Sequence, residues 1–204
     1  RGAGILQHPE CVKQIAEIIR QRDDITFSIK MRLGLTDESE GISLLPILND
    51  TPLKHITLHP RLGTQQYNGT ADLDAFERFA EQTTHRLIYN GDLKTPTDVH
   101  AITERFSNLA GIMMGRGLLA RPSLAQELIE GAEWHRAKRI ALLKKMHDHY
   151  HAHLSTIIPG EAQLLTKVRT FWEYMEEECG RKAWKKIMKA GSMSNYLNAI
   201  NELN

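Results

Sequence analysis

Short apolar runs alternate with amphipathic patterns over the first 133 residues of the chain. Four of the runs are typical of buried strands, at residues 25–31, 55–59, 86–89 and 111–114. Five segments with apolar residues three or four positions apart predict helices, at residues 9–20, 42–49, 72–81, 96–106 and 122–131. Because strand, loop and helix recur at intervals of about 30 residues, the pattern predicts a parallel α/β sheet.

The pattern changes at Trp134, after which no strand-like alternation is visible. The remaining segments predict helices at residues 134–155, 161–178, 181–189 and 194–203. Pro159 and Gly160, Gly180, and Gly191 separate them, as residues that end helices commonly do. We therefore predict an α/β domain over residues 1–132 and an all-α helical domain over residues 133–204.

Composition narrows the class of protein. The chain has 204 residues, of which 41% are hydrophobic, and a formal net charge of +1, which excludes a disordered chain. No apolar run reaches the roughly 18 residues of a membrane span, and no signal-peptide pattern opens the sequence. Two cysteines, Cys11 and Cys179, are too few for a disulfide scaffold, so we expect a cytoplasmic protein without a membrane partner.

Charge is unevenly distributed along the chain. Residues 1–133 have a net charge of −4, whereas residues 134–189 carry 12 basic and 6 acidic side chains and five histidines. A basic segment attached to an acidic one is typical of a nucleic-acid-contacting appendage, although solvated helix faces have the same composition. The histidines lack a nearby cysteine or an HExxH pattern, so we predict no metal site.

Candidate chemistry follows the strands, because ligands of parallel α/β sheets bind at the carboxyl ends of the strands. Lys30 ends the first run, and it is either a snorkelling lysine or a fixed positive charge beside a cofactor that becomes anionic on reduction, such as a flavin. His59 ends the second run and is either structural or a hydrogen-bonding partner of a phosphate or ring. Arg61 either reaches a nucleic-acid backbone or covers the rim.

The third and fourth runs end in glycine-containing loops. Asn90, Gly91 and Asp92 follow the third, and Gly115 and Arg116 follow the fourth. Glycine lets backbone N–H groups approach an anion closely, and the arginine fork binds phosphate oxygens in pairs. Each loop alone is consistent with an ordinary turn, but together they predict a phosphate site like that after the last strands of a barrel.

Several strings resemble the tRNA-dihydrouridine synthase family in order and spacing, and the resemblance covers nearly the whole chain. They are Ser28-Ile-Lys-Met-Arg-Leu-Gly34, Leu58-His-Pro-Arg61, Tyr67-Asn-Gly69, Asn90-Gly-Asp92 and Gly111-Ile-Met-Met-Gly-Arg-Gly117. The helical tail, with Lys167-Val-Arg-Thr-Phe-Trp172, is similar to the C-terminal RNA-binding domain of that family.

The resemblance implies a flavin enzyme on a (β/α)8 TIM barrel. The family uses FMN, reduced by NADPH, to reduce the C5–C6 bond of uridines in tRNA, with a cysteine as proton donor. Carried over by position, the resemblance implies cofactor binding at seven residues, namely Lys30, His59, Asn90, Gly91, Asp92, Gly115 and Arg116. It implies RNA binding at Arg61, Lys167 and Arg169.

The chain also departs from the family pattern. It has no counterpart of the cofactor loop after the first strand or of the Asn-x-Gly-Cys-Pro segment after the fourth. We therefore expect a partial (β/α)8 barrel, made of its last four βα units, followed by the helical domain. Cys11 lies in a different context, so the proton donor is expected to be missing and the fragment alone to be inactive.

Four strands cannot close an eight-stranded barrel, so we expect either a missing N-terminal half or self-association. Two other functions stay open, namely another FMN-dependent barrel oxidoreductase acting on a small substrate, and a non-catalytic RNA-binding module. The modified uridine and the choice between NADPH and NADH are open too.

Overall fold

The computed structural model describes residues 2–204 and has mixed α/β architecture. The first elements are a 3-10 helix (Gly2–Gln7), α1 (Pro9–Arg20), β1 (Phe27–Gly34), α2 (Ser39–Ser43), α3 (Leu45–Asn49) and β2 (Leu53–Leu62). They are followed by α4 (Leu73–Ala80), β3 (Leu87–Asn90), α5 (Pro96–Arg105) and β4 (Gly111–Met113). The rest of the described chain is helical, with α6 (Arg116–Ala120), α7 (Leu124–Glu130), α8 (Arg136–Ile157), α9 (Glu161–Arg169), a 3-10 helix (Thr170–Trp172), α10 (Glu176–Cys179), α11 (Arg181–Met188) and α12 (Met193–Asn201).

The four strands form one parallel sheet in the order β1-β2-β3-β4. Met31 pairs with Leu58, and Leu58 pairs with Tyr89, while the register of β1 against β2 shifts near both ends of β1. Consecutive parallel strands joined by helical crossovers are the arrangement found in the wall of a (β/α)8 barrel. The four predicted strands are confirmed, and β1 and β2 extend farther than predicted, to Gly34 and to Leu62.

An aromatic and aliphatic core lies between the sheet and its helices. Phe76 of α4 is fully buried, and its ring packs edge-on against Tyr89 of β3 at 5.2 Å and against Phe106 at 4.8 Å. The carboxylate of Asp72 accepts a hydrogen bond from Ala75 N at 2.8 Å and so caps α4. This packing fixes the loop that precedes α4 close to the end of β2.

The chain divides into two compact units. The first contains residues up to Leu93 and Thr97–Gly115, and the second contains Lys94–Pro96 and Arg116–Asn204. Inside the second unit, Glu127 of α7 accepts hydrogen bonds from Arg121 and from Trp134 N, which connects α7 to the segment before α8. The domain boundary near residue 132 stays a prediction.

The second unit has its own core around Trp172, which is fully buried. Trp172 Nε1 donates to the Tyr196 hydroxyl at 3.0 Å, and that hydroxyl lies 2.8 Å from His147 Nε2. The sequence predicts one helix over residues 161–178, but the structure breaks it into α9, a 3-10 helix and α10. With this break, both Trp172 and Met175 are buried. The spacing of apolar residues in the sequence does not predict the break.

Within residues 2–204, no helix combines the length and apolar character needed to cross a bilayer. The same residues contain no group of three or more histidine, cysteine, aspartate or glutamate side chains arranged to hold a metal ion.

Candidate functional site

Basic side chains gather where β1 and β2 end. Arg32 of β1 pairs in register with His59 of β2, and Lys30 pairs with Thr57. Lys30 and Arg32 are two positions apart, so they lie on the same face of β1. The structure thus brings together Lys30 and His59, the two residues expected to contact a flavin, and adds Arg32 beside them.

The electrostatics of this cluster keep His59 neutral. The side chain is buried, and burial lowers its pKa to about 4, together with the positive charges of Lys30, Arg32 and Arg61. The carboxylate of Asp92 opposes that shift only in part. Burial and Arg32 also lower the pKa of Lys30. At neutral pH the imidazole of His59 can therefore donate one hydrogen bond and accept another.

The loop after β2 brings an aromatic ring to this cluster. The ring of Tyr67 lies 6.5 Å from that of His59, centre to centre, and 5.6 Å from the guanidinium carbon of Arg32. Arg32 Nη1 donates to Leu62 O at 2.6 Å, which orients the guanidinium toward the loop. Tyr67 is 58% exposed, so its ring is open to a ligand. Sequence reasoning assigned no role to Tyr67, although the tyrosine stands in one of the family strings.

The buried side chain of Arg61 holds the same loop in place. Its side chain is 1% exposed, and it donates to Asn68 O at 2.7 Å, to Gly69 O at 2.9 Å and to Asp92 Oδ2 at 2.6 Å. The guanidinium of Arg61 is buried, because two carbonyl oxygens of the loop and the carboxylate of Asp92 surround it. RNA binding by Arg61 stays a prediction. Arg61 therefore positions the loop that carries Tyr67.

The loop after β3 is tightly packed at its glycine. A Cβ added to Gly91 would lie 3.1 Å from Ala71 Cβ, 3.1 Å from the Tyr89 hydroxyl and 3.5 Å from His59 Cδ2. The next residue, Asp92, has a φ of 44° and accepts a second hydrogen bond, from Ala71 N at 2.8 Å. Only glycine lets this loop approach His59 so closely. In this structure Asp92 connects two loops through Arg61 and Ala71.

The other predicted phosphate-binding residues are distributed between the two units. Asn90 Nδ2 donates to Met113 O at 2.7 Å and so joins the ends of β3 and β4 within the first unit. Gly115 is exposed and ends that unit, whereas Arg116 is exposed and begins α6 in the second. Phosphate binding by Asn90, Gly91, Asp92, Gly115 and Arg116 stays a prediction.

A carboxylate holds the loop after β1, and sequence reasoning missed it. Glu40 accepts hydrogen bonds from Leu35 N at 2.5 Å, from Thr36 Oγ1 at 2.7 Å and from Gln7 Nε2 at 2.9 Å. Burial alone would raise the pKa of this carboxyl, but these hydrogen bonds lower it to about 2. The sequence signal for this contact was weak, since a glutamate six residues after a strand has no distinctive pattern.

A model of the family described as dihydrouridine synthase matches residues 1–202 of the chain. The chain belongs to the dihydrouridine synthase family. The resemblance seen in the five short strings is therefore confirmed.

Curated relatives carry the same family name. A tRNA-dihydrouridine synthase B of Pectobacterium carotovorum is 22% identical over 201 residues, which cover 93% of this chain and 60% of that protein. The tRNA-dihydrouridine synthase B of Escherichia coli K12 has the same identity and coverage. A third, from Yersinia pestis, is 27% identical over 128 residues, or 62% of this chain and 40% of that protein. The chain spans about 60% or less of the length of these relatives.

The two RNA-binding residues predicted in the helical part of this dihydrouridine synthase chain differ in exposure. Lys167 is exposed on α9. Arg169 is half-buried, and its Nη1 donates to Met188 O at 3.1 Å and to Ala190 O at 3.4 Å. The guanidinium of Arg169 thus stabilises the end of α11, and RNA binding by Lys167 and by Arg169 stays a prediction.

The two cysteines of this dihydrouridine synthase chain lie on helices. Cys11 is half-buried on α1, and Cys179 is buried at the end of α10. Burial raises the pKa of the Cys179 thiol to about 12, so this side chain stays a neutral thiol in the core.

Proposed function

We propose that this chain carries the flavin-facing sheet and the tRNA-contacting helices of a flavin-dependent tRNA-dihydrouridine synthase. The activity we assign is reduction of the C5–C6 bond of uridines in tRNA, with FMN as the bound cofactor and NADPH as the reductant. Membership of the dihydrouridine synthase family and the names of its tRNA-dihydrouridine synthase B relatives support this assignment. The observation that carries it is the convergence of Lys30, Arg32 and His59 at the strand ends.

The chemistry of these side chains fits a flavin. A reduced flavin carries negative charge on its pyrimidine edge, and Lys30 and Arg32 offer fixed positive charge there. The neutral imidazole of His59 offers both a donor and an acceptor to a ring with polar edges. Gly91 keeps the loop after β3 close to His59, where any larger side chain would fill the space. Bound FMN would supply the hydride chemistry, and these residues would hold and orient it.

The further parts of the proposal concern the helices. We propose that residues 133–204 act as the tRNA-binding part, because residues 134–189 carry twice as many basic as acidic side chains. We also propose that the first domain ends at residue 132 and that the second begins at residue 133. In this proposal the sheet forms the second half of a (β/α)8 barrel.

A titration with FMN, followed by flavin fluorescence, tests the proposed function. We expect saturable binding that is weakened about tenfold by Lys30→Gln, because a charge-assisted hydrogen bond contributes about 1.5–3 kcal/mol. Lys54→Gln is the matched control, since Lys54 is exposed near the beginning of β2. Equal FMN affinity of the two variants would contradict the assignment of Lys30. Salt-dependent tRNA binding without any FMN binding would instead indicate an RNA-binding module.

A further inference from the structure

Helix α11 has two chemically distinct faces. Ile187 is fully buried, and Ala183, Trp184 and Met188 pack against the core of the second unit. The indole of Trp184 also donates to Trp172 O at 2.7 Å. This face fixes the rotation of the helix about its axis, so the opposite face is directed outward.

The outward face is a ridge of three lysines, Lys182, Lys185 and Lys189. They are spaced three and four residues apart, which places them within about 60° of one another around the helix axis. All three are exposed, and their ammonium groups form no hydrogen bond or ion pair with residues 2–204. The segment 181–189 contains five basic residues and no acidic one.

Neighbouring basic side chains differ from this lysine ridge. Lys186 Nζ lies 2.6 Å from Glu202 Oε2, and Arg181 lies 3.8 Å from Glu176 Oε1. Their charges are therefore partly neutralised within the molecule, while those of the ridge are not. Surface lysines without carboxylate partners provide positive charge to which an external polyanion can bind.

The end of the lysine ridge is held in place by Arg169. Its guanidinium donates to the carbonyls of Met188 and Ala190, the residues on either side of Lys189. At 1.5 Å per residue, Lys182 and Lys189 are separated by about 10 Å along the helix. A fixed row of that length can face about two or three successive phosphates of one nucleic-acid strand. Arg169 thus fixes the position of the end of the ridge.

We propose that the lysine ridge of α11 binds the phosphate backbone of a helical region of the tRNA substrate. The inference rests on the proposed function, since that function supplies the RNA. Three neighbouring positive charges without acidic neighbours are complementary to the negative charge of a phosphate backbone. Contacts to phosphates carry no information about base sequence. Binding at the ridge is therefore electrostatic and independent of sequence.

The test is fluorescence anisotropy of a labelled, unmodified tRNA transcript with the full chain, between roughly 50 and 200 mM salt. The triple variant Lys182→Gln, Lys185→Gln, Lys189→Gln is expected to flatten the slope of log affinity against log salt by about three, one for each lysine. Its affinity at the lowest salt is expected to fall about tenfold or more. A control variant, Lys13→Gln, Lys54→Gln, Arg86→Gln, removes the same charge from exposed basic residues of the first unit and is expected to keep the slope.

Two further measurements separate the possible causes. The triple Lys→Arg variant of the ridge keeps the charge and is expected to bind tRNA as the natural sequence does, which shows that the ridge requires charge and tolerates substitution. FMN binding is expected to be unchanged in every variant. An unchanged salt slope in the triple glutamine variant overturns the ridge but leaves the proposed function standing. Absence of any salt-dependent tRNA binding by the natural sequence overturns both.

Discussion

At the level of single residues, the guanidinium of Arg61 shows how a buried charge shapes a loop. It is 1% exposed and binds two carbonyls and one carboxylate, while its Nε has no hydrogen-bond partner within residues 2–204. A buried cation is stable only when its partners compensate the lost hydration. The loop after β2 is consequently shaped around Arg61, and Tyr67 gains a fixed position beside His59.

Arg61→Lys is expected to lower the free energy of unfolding by about 2–4 kcal/mol, because an ammonium cannot reach all three acceptors in the same geometry. Urea denaturation measures the change. Arg22→Lys is the matched control, since Arg22 is exposed and pairs with Asp24 at 2.7 Å, so its replacement is expected to leave the free energy of unfolding nearly unchanged. Equal effects of the two substitutions would show that Arg61 does not support the loop.

His147 makes the stability of the second unit depend on pH. Burial lowers the pKa of His147 in the folded state, while Asp148 opposes that shift, and the unfolded value is about 6.5. Folding therefore favours the neutral imidazole, so its contribution to stability is complete above about pH 6.5 and is lost as the pH falls through the folded-state pKa. The stability of the protein is therefore expected to decline as the pH falls below about 6.5.

His147→Gln is expected to make this decline in stability shallower. Thermal denaturation at a series of pH values measures the stability of each variant. His149→Gln provides the control, because His149 is exposed on the same helix and is expected to leave the decline in place. If both variants keep the pH dependence of the natural sequence, the decline arises from other groups.

At the level of elements, the turn between β1 and α2 depends on a glycine inside a helix. A Cβ at Gly41 would lie 2.1 Å from Leu33 O, a backbone atom that has no room to move. Replacing a helical glycine by alanine ordinarily stabilises a protein by about 0.5–1 kcal/mol. Here the steric conflict is larger than that gain, so Gly41→Ala is expected to destabilise the protein by about 1–3 kcal/mol.

Gly111→Ala is the comparison for this prediction, because nothing lies within 4 Å of a Cβ built at Gly111. We expect that substitution to change the free energy of unfolding by no more than about 0.5 kcal/mol, as measured by urea denaturation. A stabilising effect of Gly41→Ala would mean that the turn shifts to accommodate the methyl group.

The spacing of apolar residues alone predicted the strands and most helices, because each of these elements buries one side along its own length. It missed α6, a helix of five residues, and it joined α2 and α3 into one, although Pro46 marks the start of the second. The ends of the strands predicted Lys30 and His59 as candidate site residues, and the structure pairs the two strands that carry them. The contacts of Arg61 and Glu40 were not predictable in this way, because they join loops that are distant in sequence and follow from tertiary packing.

At the level of the whole molecule, the sheet has two open edges among residues 2–204. β1 pairs only with β2, and β4 pairs only with β3, so each presents unpaired N–H and C=O groups on its outer side. An eight-stranded barrel removes such edges by closing, whereas four strands leave them available for pairing. We therefore expect this chain to self-associate at high protein concentration.

Sedimentation equilibrium at several concentrations measures this association, and the apparent mass is expected to rise above the 23.2 kDa of one chain. Ser28→Lys adds a charge to the exposed part of β1 and is expected to weaken the association, because lysines on edge strands oppose strand pairing. Ser107→Lys adds the same charge outside the strands and is expected to leave it unchanged. An apparent mass of 23.2 kDa at every concentration would show that the edges of β1 and β4 do not pair with a second copy of the chain.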